Sequence, residues 1–144
     1  YEYDVEAFET YLARSRMART PTERIEQIQK AVDLVRGPYL SEVDLPWAIG
    51  ERDRLEQTYL AALESLAGLY LENGQFQQAV ETGQRALKTD AYMEAVHQIL
   101  MKAYAAQGDH PAIRRQYQAC QAALAELGFS PSQETQELYR RLLG

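Results

Sequence analysis

The sequence predicts an all-α fold, and three observations lead to that prediction. Apolar residues recur every three or four positions along most of the 144 residues, which is the spacing of one helix face. No segment shows the strict apolar and polar alternation that is typical of a half-buried strand. A helix-turn-helix pattern occurs twice at a spacing of 34 residues, so that Tyr70 corresponds to Tyr104 and Gly74 to Gly108. We therefore expect paired antiparallel helices.

The composition predicts a single globular domain over residues 1–144. Hydrophobic residues make up 46% and charged residues 25%, which is ordinary for a globular protein. No apolar run approaches the roughly 20 residues that cross a bilayer, and no secretory signal is present at the start. The single cysteine, Cys120, excludes an internal disulfide and fits the cytoplasm, where we expect the protein to act. Because the chain opens on Tyr1 instead of Met, we expect a fragment of a longer protein.

The charge distribution argues against direct nucleic-acid binding by these residues. The formal net charge is −6. Residues 1–90 carry 16 acidic and 10 basic groups, whereas residues 91–144 carry five of each. Non-specific affinity for DNA comes mainly from Lys and Arg that neutralise phosphates, so an acidic domain without a basic stripe is a poor DNA binder.

Two helices are predicted before residue 38. The second begins at Thr20, with Pro21 in the first helical position and Glu23 as the reciprocal partner of a capping box. Gly37 and Pro38 are expected to end it. The inward faces are formed by Val5, Phe8 and Leu12 in the first helix and by Ile25, Ile28, Val32 and Val35 in the second.

An extended connector is predicted at 36–47, where Pro38 and Pro46 restrict the backbone. We expect this connector to pack on the helices, because each large apolar side chain left in water costs about 1.5–3 kcal/mol. The side chains concerned are Tyr39, Leu40, Leu45 and Trp47.

Five further helices are predicted over 47–73, 75–89, 91–107 and 109–127 and from Ser132, which can cap the last one. The longest of them turns five apolar side chains inward, namely Leu55, Tyr59, Leu63, Leu66 and Tyr70. The last helix turns Leu138 and Leu142 inward.

Paired helices at a period of 34 residues are the signature of the tetratricopeptide repeat. The repeats span about 60–93 and about 94–127, residues 4–37 form a degenerate hairpin, and a capping helix covers about 131–143. Together they predict a short right-handed solenoid of TPR-like hairpins. Small residues such as Ala67, Ala79 and Ala86 let the helices approach closely. Gly83, in a helix interior, either permits a close contact or is merely tolerated.

Five segments, taken in their order along the chain, indicate a family more specific than the tetratricopeptide repeat. They read DVEAFE at 4–9, RGPYL at 36–40, PW with ERDRLEQTYLAALESLA within 46–67, ALKTDAYMEAVHQILMKAYAAQGD at 86–109, and LAELGFSPSQETQELYRRLL at 124–143. In this order the chain resembles the bacterial transcriptional activator domain of SARP-type regulators and related signalling regulators. The resemblance implies a helical, TPR-like domain that commonly follows a winged-helix DNA-binding domain, and YEYDVEAFE is similar to the junction after that domain.

The resemblance to TPR solenoids implies a partner groove lined by the first helix of each hairpin. Transferred by position, the groove residues are Glu64, Gly68 and Leu71 from one repeat and Gln98, Lys102 and Ala105 from the next. The alternative is that these are ordinary exposed residues that bind nothing.

No enzyme is predicted. The sequence contains no Walker loop, GxGxxG, HExxH, CxxC pair or nucleophile elbow. His97, His110 and Cys120 are not spaced as metal ligands, and helix packing or surface exposure is the favoured role of His97 and Cys120. Glu51 and Asp53 are two residues apart on a helix and point to different faces. We expect no cofactor and no metal.

The preferred interpretation is the interaction and regulatory domain of a bacterial transcription regulator. Its expected partners are a DNA-binding domain of the same chain and a second protomer or RNA polymerase, without direct nucleic-acid or membrane contact. One alternative is a sensor domain of a signal-transduction ATPase regulator. A free-standing TPR adaptor or a homodimerisation scaffold unrelated to transcription is another, and only the scaffold requires a stable dimer.

Overall fold

A computed structural model describes the backbone of residues 2–35 and 49–144 and the side chains of residues 5–35 and 53–144. Over this part of the chain the protein forms seven helices and no strand. The helices are α1 (Glu2–Arg16), α2 (Pro21–Asp33), α3 (Ile49–Glu72), α4 (Phe76–Thr89), α5 (Glu94–Ala106), α6 (His110–Glu126) and α7 (Gln133–Leu143). The prediction of an all-α fold is confirmed. The whole of the predicted connector, residues 36–47, lies outside the described residues.

The chain divides into two compact units, Tyr1–Leu66 and Ala67–Gly144. In the first unit α1 packs on α2. The apolar stripes predicted for these helices are buried, and Phe8 and Val32 are almost completely inaccessible. The α3 residues Leu55, Leu60, Ala62, Leu63 and Leu66 also belong to the buried core of this unit. A surface ion pair joins Arg54 of α3 to Glu9 of α1 at 3.4 Å.

Helix α2 begins with the predicted cap, although the reciprocal contact differs by one residue. The Thr20 hydroxyl accepts from the backbone N–H of Glu23 at 3.1 Å, as expected for an N-cap. The Glu23 carboxylate accepts from the N–H of Arg19 at 3.2 Å, not from that of Thr20. The helix ends at Asp33, before the predicted stop at Gly37 and Pro38.

The second unit is organised around α5, which packs against α4, α6 and α7. Val96, Leu100, Met101 and Ala103 of α5 have no accessible surface. The small side chains expected to admit close helix packing, Ala67, Ala79 and Ala86, are buried as well, and all three have 0% exposure. This unit therefore has an apolar interior to which every one of its helices contributes.

Three helices of this unit end in the same backbone motif. Gly74, Gly108 and Gly128 have φ between 73° and 81°, the left-handed region in which glycine carries no Cβ penalty. At each turn the N–H after the glycine donates to a carbonyl five residues earlier, as in Gln75 to Tyr70 at 2.8 Å and Asp109 to Tyr104 at 2.9 Å. The two glycines of the 34-residue pattern thus form the turns that follow α3 and α5.

Gly83 allows a close approach of α4 to α5. A Cβ placed there would lie 2.9 Å from Leu100 Cδ2, 3.0 Å from Leu100 Cγ and 3.4 Å from Val96 Cγ1. Leu100 is fully buried and has little room to yield. Of the two roles considered for Gly83, the structure supports the close contact.

A polar cluster joins the start of α7 to α5. One oxygen of Glu94, Oε2, accepts from the Ser132 N–H at 2.8 Å, from the Ser132 hydroxyl at 2.7 Å and from the Thr135 hydroxyl. Thr135 Oγ1 in turn accepts from Gln98 Nε2 at 2.7 Å. Ser132 is the predicted N-cap and accepts from the Thr135 N–H at 3.3 Å. Because Thr135 is fully buried, this network satisfies a hydroxyl that would otherwise be unpaired.

The same cluster perturbs the Glu94 carboxyl. Burial on its own raises the pKa, but hydrogen bonds from Thr135 and Ser132 outweigh it and hold the pKa below the ordinary 4.5. The carboxylate also lies at the N-terminus of α7, where a helix dipole favours negative charge. Ionised Glu94 therefore stabilises the attachment of α7.

We predict opposite effects for two glycine substitutions in adjoining helices. Gly83→Ala meets Leu100, and overpacking costs about 1–3 kcal/mol against a helix-propensity gain of up to about 1 kcal/mol. We expect a net loss of about 1 kcal/mol. Gly68→Ala is the control, because its Cβ would meet Ile99 Cδ1 at an ordinary 3.9 Å, and we expect a gain of about 0.5–1 kcal/mol. Urea unfolding of both variants measures the difference. Equal stabilisation by both would contradict the close contact at Gly83.

We predict that Glu94→Gln destabilises the protein in a pH-dependent way. At pH 7 we expect a loss of about 1–2 kcal/mol, since hydrogen bonds to an ionised group are stronger than those to a neutral one. A carboxyl whose folded pKa is lowered contributes stability above its unfolded pKa and loses it as the pH falls through the folded pKa. The gap between wild type and variant in urea unfolding should therefore narrow below about pH 4.5. A gap that stays constant from pH 7 to pH 3 would show that the charge of Glu94 is not involved.

Candidate partner-binding groove

Three predicted groove residues lie on the C-terminal half of α3. Glu64, in the first compact unit, is half-buried. Gly68 and Leu71 belong to the second unit and are also half-buried. The 3.9 Å separation between a Cβ at Gly68 and Ile99 Cδ1 shows that this position of α3 faces α5.

The other three predicted residues lie on α5 and have different environments. Gln98 donates its amide to Thr135 of α7. Ala105 packs beside a buried cluster of Met101, Ile113 and Leu138, the last of which comes from α7. Lys102 is exposed and has no carboxylate partner among the described residues.

Helix α7 therefore covers part of the face on which the groove was predicted. Gln98 and Ala105 lie on either side of Lys102 along α5, and both are in contact with α7 or with the cluster that it completes. In the second unit, Leu71 of α3 is half-buried and Lys102 of α5 is exposed.

His97 is a buried packing residue and joins three parts of the second unit. Its Nε2 lies 2.8 Å from the Ala91 carbonyl, which can only accept, so Nε2 carries the proton. Its Nδ1 then accepts from Gln116 Nε2 at 2.7 Å. Burial lowers the pKa of His97 more than the Ala91 carbonyl and Glu94 raise it, so the ring is neutral at pH 7. Both ring nitrogens of His97 therefore already have a hydrogen-bond partner within the protein.

Cys120 is a packing residue as well. It is fully buried, and burial raises the pKa of its thiol to about 11. A thiol with such a pKa is protonated at neutral pH and is a poor nucleophile. The packing role favoured for His97 and Cys120 from the sequence agrees with both environments.

Two contacts of α7 have no clear sequence signal. The rings of Tyr117 on α6 and Tyr139 on α7 stack at 4.0 Å between centroids, with their planes 3° apart. The bond between Glu94 and Thr135 joins residues 41 positions apart. The N-cap at Ser132 could be predicted from the sequence. Its contact with Glu94 could not, because only the tertiary packing of α7 on α5 brings Ser132 and Glu94 together.

Metal-ligand clusters and membrane-spanning helices are the remaining features that bear on function. Among the residues whose side chains are described, no three His, Cys, Asp or Glu groups are placed to hold one metal ion. No helix in the described ranges is long and apolar enough to cross a bilayer.

Comparison with known protein families identifies the chain over nearly its whole length. Residues 3–143 match the family described as bacterial transcriptional activator domain. A comparison with curated proteins finds no match. The family is one of regulatory transcription domains and not of enzymes, and the match covers nearly the whole chain. This chain belongs to the bacterial transcriptional activator domain family.

Proposed function

We propose that this chain is the protein-interaction and regulatory domain of a bacterial transcription regulator whose DNA contacts come from a separate DNA-binding domain. The observation behind the proposal is the family match over residues 3–143. The net charge of −6 supports the division of labour, because a surface without excess cations has little affinity for phosphates. The domain would pack against the DNA-binding domain, position it, and contact a second protomer or RNA polymerase.

A TPR-like architecture is part of this proposal. The similar turns at Gly74 and Gly108 support it, as do Ala86 and Cys120, which are small, fully buried and 34 residues apart. We propose two hairpins at about 60–93 and 94–127, a degenerate hairpin at 4–37, and α7 as the capping helix. The stacking of Tyr139 on Tyr117 and the bonds to Glu94 would give such a cap its attachment.

Partner recognition would use the open part of the groove on α3 and α5. Lys102 supplies an exposed charge that no described carboxylate neutralises, and Leu71 supplies apolar area on α3. Gly68 would extend this surface along α3, while Gln98 and Ala105 would support it through α7. A surface of this size depends on a few anchoring side chains.

We predict that Lys102→Glu and Leu71→Arg each lower transcriptional activation at least about tenfold when the chain is joined to a DNA-binding domain of known operator. The reason is the loss of a cation or of an apolar anchor from the groove. A reporter gene in a bacterial host measures activation, and helicity and operator occupancy should stay unchanged. Because Lys102 is exposed, its substitution tests the groove without disturbing the core.

Lys88→Glu, an equal charge change at an exposed position on α4, is the matched control and should activate like wild type. Full activation by both groove variants would show that the groove does not bind the partner. A wild-type fusion that occupies its operator without activating would contradict the proposed activator function itself.

A further inference from the structure

One end of the second unit carries three exposed large apolar side chains that the groove does not use. Phe129 is 66% exposed, Leu127 49% and Tyr92 41%. The described residues hold one other exposed large apolar side chain, Met17, which belongs to the first unit. Single exposed apolar residues need no explanation, but exposed apolar residues that lie together mark interaction sites.

Two contacts bring the three side chains to the same end of the unit. The Tyr92 hydroxyl donates to Glu126 Oε2 at 2.8 Å, at the end of α6. Beyond the loop that follows, the Ser132 N–H donates to Glu94 Oε2 at 2.8 Å. The loop at 127–131 is therefore fixed at both ends to the segment that leads into α5. We call this surface the end patch and define it as Tyr92, Leu127 and Phe129.

The turn that carries Leu127 and Phe129 does not require apolar residues. It has the same motif as the turns after α3 and α5, with a glycine at positive φ and a bond from the Phe129 N–H to the Leu124 carbonyl at 2.9 Å. In the other two turns the residues on either side of the glycine are polar. They are Asn73 and Gln75 in one turn and Gln107 and Asp109 in the other. The backbone motif therefore leaves the exposed Leu127 and Phe129 unexplained.

The charges around the end patch are mostly acidic. Glu126 accepts from the Tyr92 hydroxyl, and Asp90 Oδ1 accepts from the Tyr92 N–H at 2.9 Å, so that both carboxylates lie beside this residue. The negative end of the α6 dipole adds to them, because no basic residue lies in the last turn of that helix. Residues 88–94 and 121–134 together contain four acidic groups and one basic group.

We propose that the end patch docks a basic segment of another protein, in which an apolar side chain is flanked by Arg or Lys. The apolar side chain packs against Leu127 and Phe129. The flanking cation is attracted both by the Glu126 carboxylate and by the Tyr92 ring. Arg suits this position best, because its planar guanidinium can stack on a ring and bond a carboxylate at the same time. A partner segment with acidic flanks is repelled.

The inference rests on the proposed interaction role of the domain and adds a second contact surface to it. It uses neither Leu71 nor Lys102, so the groove and the end patch can fail independently. Three anchoring side chains cover an area at the low end of specific interfaces. For a short peptide we therefore expect a dissociation constant of about 10–500 µM, which rises with salt because exposed charges are screened.

Two synthetic peptides test the surface and its charge preference. The first is a short amphipathic peptide of Leu, Trp and Arg, and the second has Glu in place of every Arg. Each is titrated into the isotope-labelled 144-residue chain and followed by NMR. The basic peptide should shift the amide signals of Tyr92 and of residues 126–129 most strongly. The acidic peptide should bind at least about tenfold more weakly.

A double variant removes the apolar part of the end patch and keeps the turn. Leu127→Asn with Phe129→Gln gives the turn after α6 the same residues that flank Gly74 in the turn after α3. Helicity measured by circular dichroism should therefore stay unchanged. The affinity for the basic peptide should fall at least about tenfold, because the apolar anchor loses its contacts.

A pair of single variants tests the charge at two equivalent positions. Glu126→Gln keeps an acceptor for the Tyr92 hydroxyl but removes the charge, and the affinity for the basic peptide should fall about three- to tenfold. Glu72→Gln is the matched control, because Glu72 is exposed and precedes the polar turn after α3 as Glu126 precedes the apolar one. This control should bind like wild type.

Four results would overturn the proposal. The first is no binding of the basic peptide up to about 1 mM, and the second is equal affinity for the two peptides. The third is signal shifts that spare the end patch or persist in the double variant. The fourth is a wild-type dimer in sedimentation that the double variant abolishes, since the surface would then belong to a second copy of the chain.

Discussion

The second compact unit depends on the close packing of α5 against its neighbours. Leu100 reaches α4 only because position 83 has no side chain, and the same helix carries Met101 into the cluster that Leu138 completes. α5 also supplies Glu94, which holds the start of α7 through three hydrogen bonds. One helix thus fixes the position of three others. The surface proposed for a partner depends on that packing.

Much of this arrangement could be predicted from local sequence. The apolar spacing gave the helices to within a few residues, Thr20 and Ser132 were identifiable as caps, and the recurring glycines marked the turns. These features depend on residues close together in the chain. The capping box of α2 shows the limit, because the Glu23 carboxylate can bond either of two adjacent N–H groups, and the residue types do not decide between them.

The contacts that shape the candidate groove could not be predicted in the same way. Gln98 was expected to face a partner, yet it donates to Thr135 of α7. Nothing in the local sequence shows that α7 lies across this side of α5, because the decisive contacts join residues 37 to 41 positions apart. Gly83 is a similar case, since its role depends on a leucine of another helix. Position within a repeat identifies a face of a helix, but tertiary packing decides how much of it stays open.

In the proposed regulator, these residues make the protein contacts and another part of the same protein makes the DNA contacts. The most direct measurement is to sequence the coding region immediately upstream of the codon for Tyr1. The account predicts a winged-helix DNA-binding domain that ends within a few residues of Tyr1. A P-loop ATPase in that position would contradict the proposed division and favour a signal-transduction regulator. A start codon directly before Tyr1 would leave a free-standing adaptor and remove the transcriptional role proposed here.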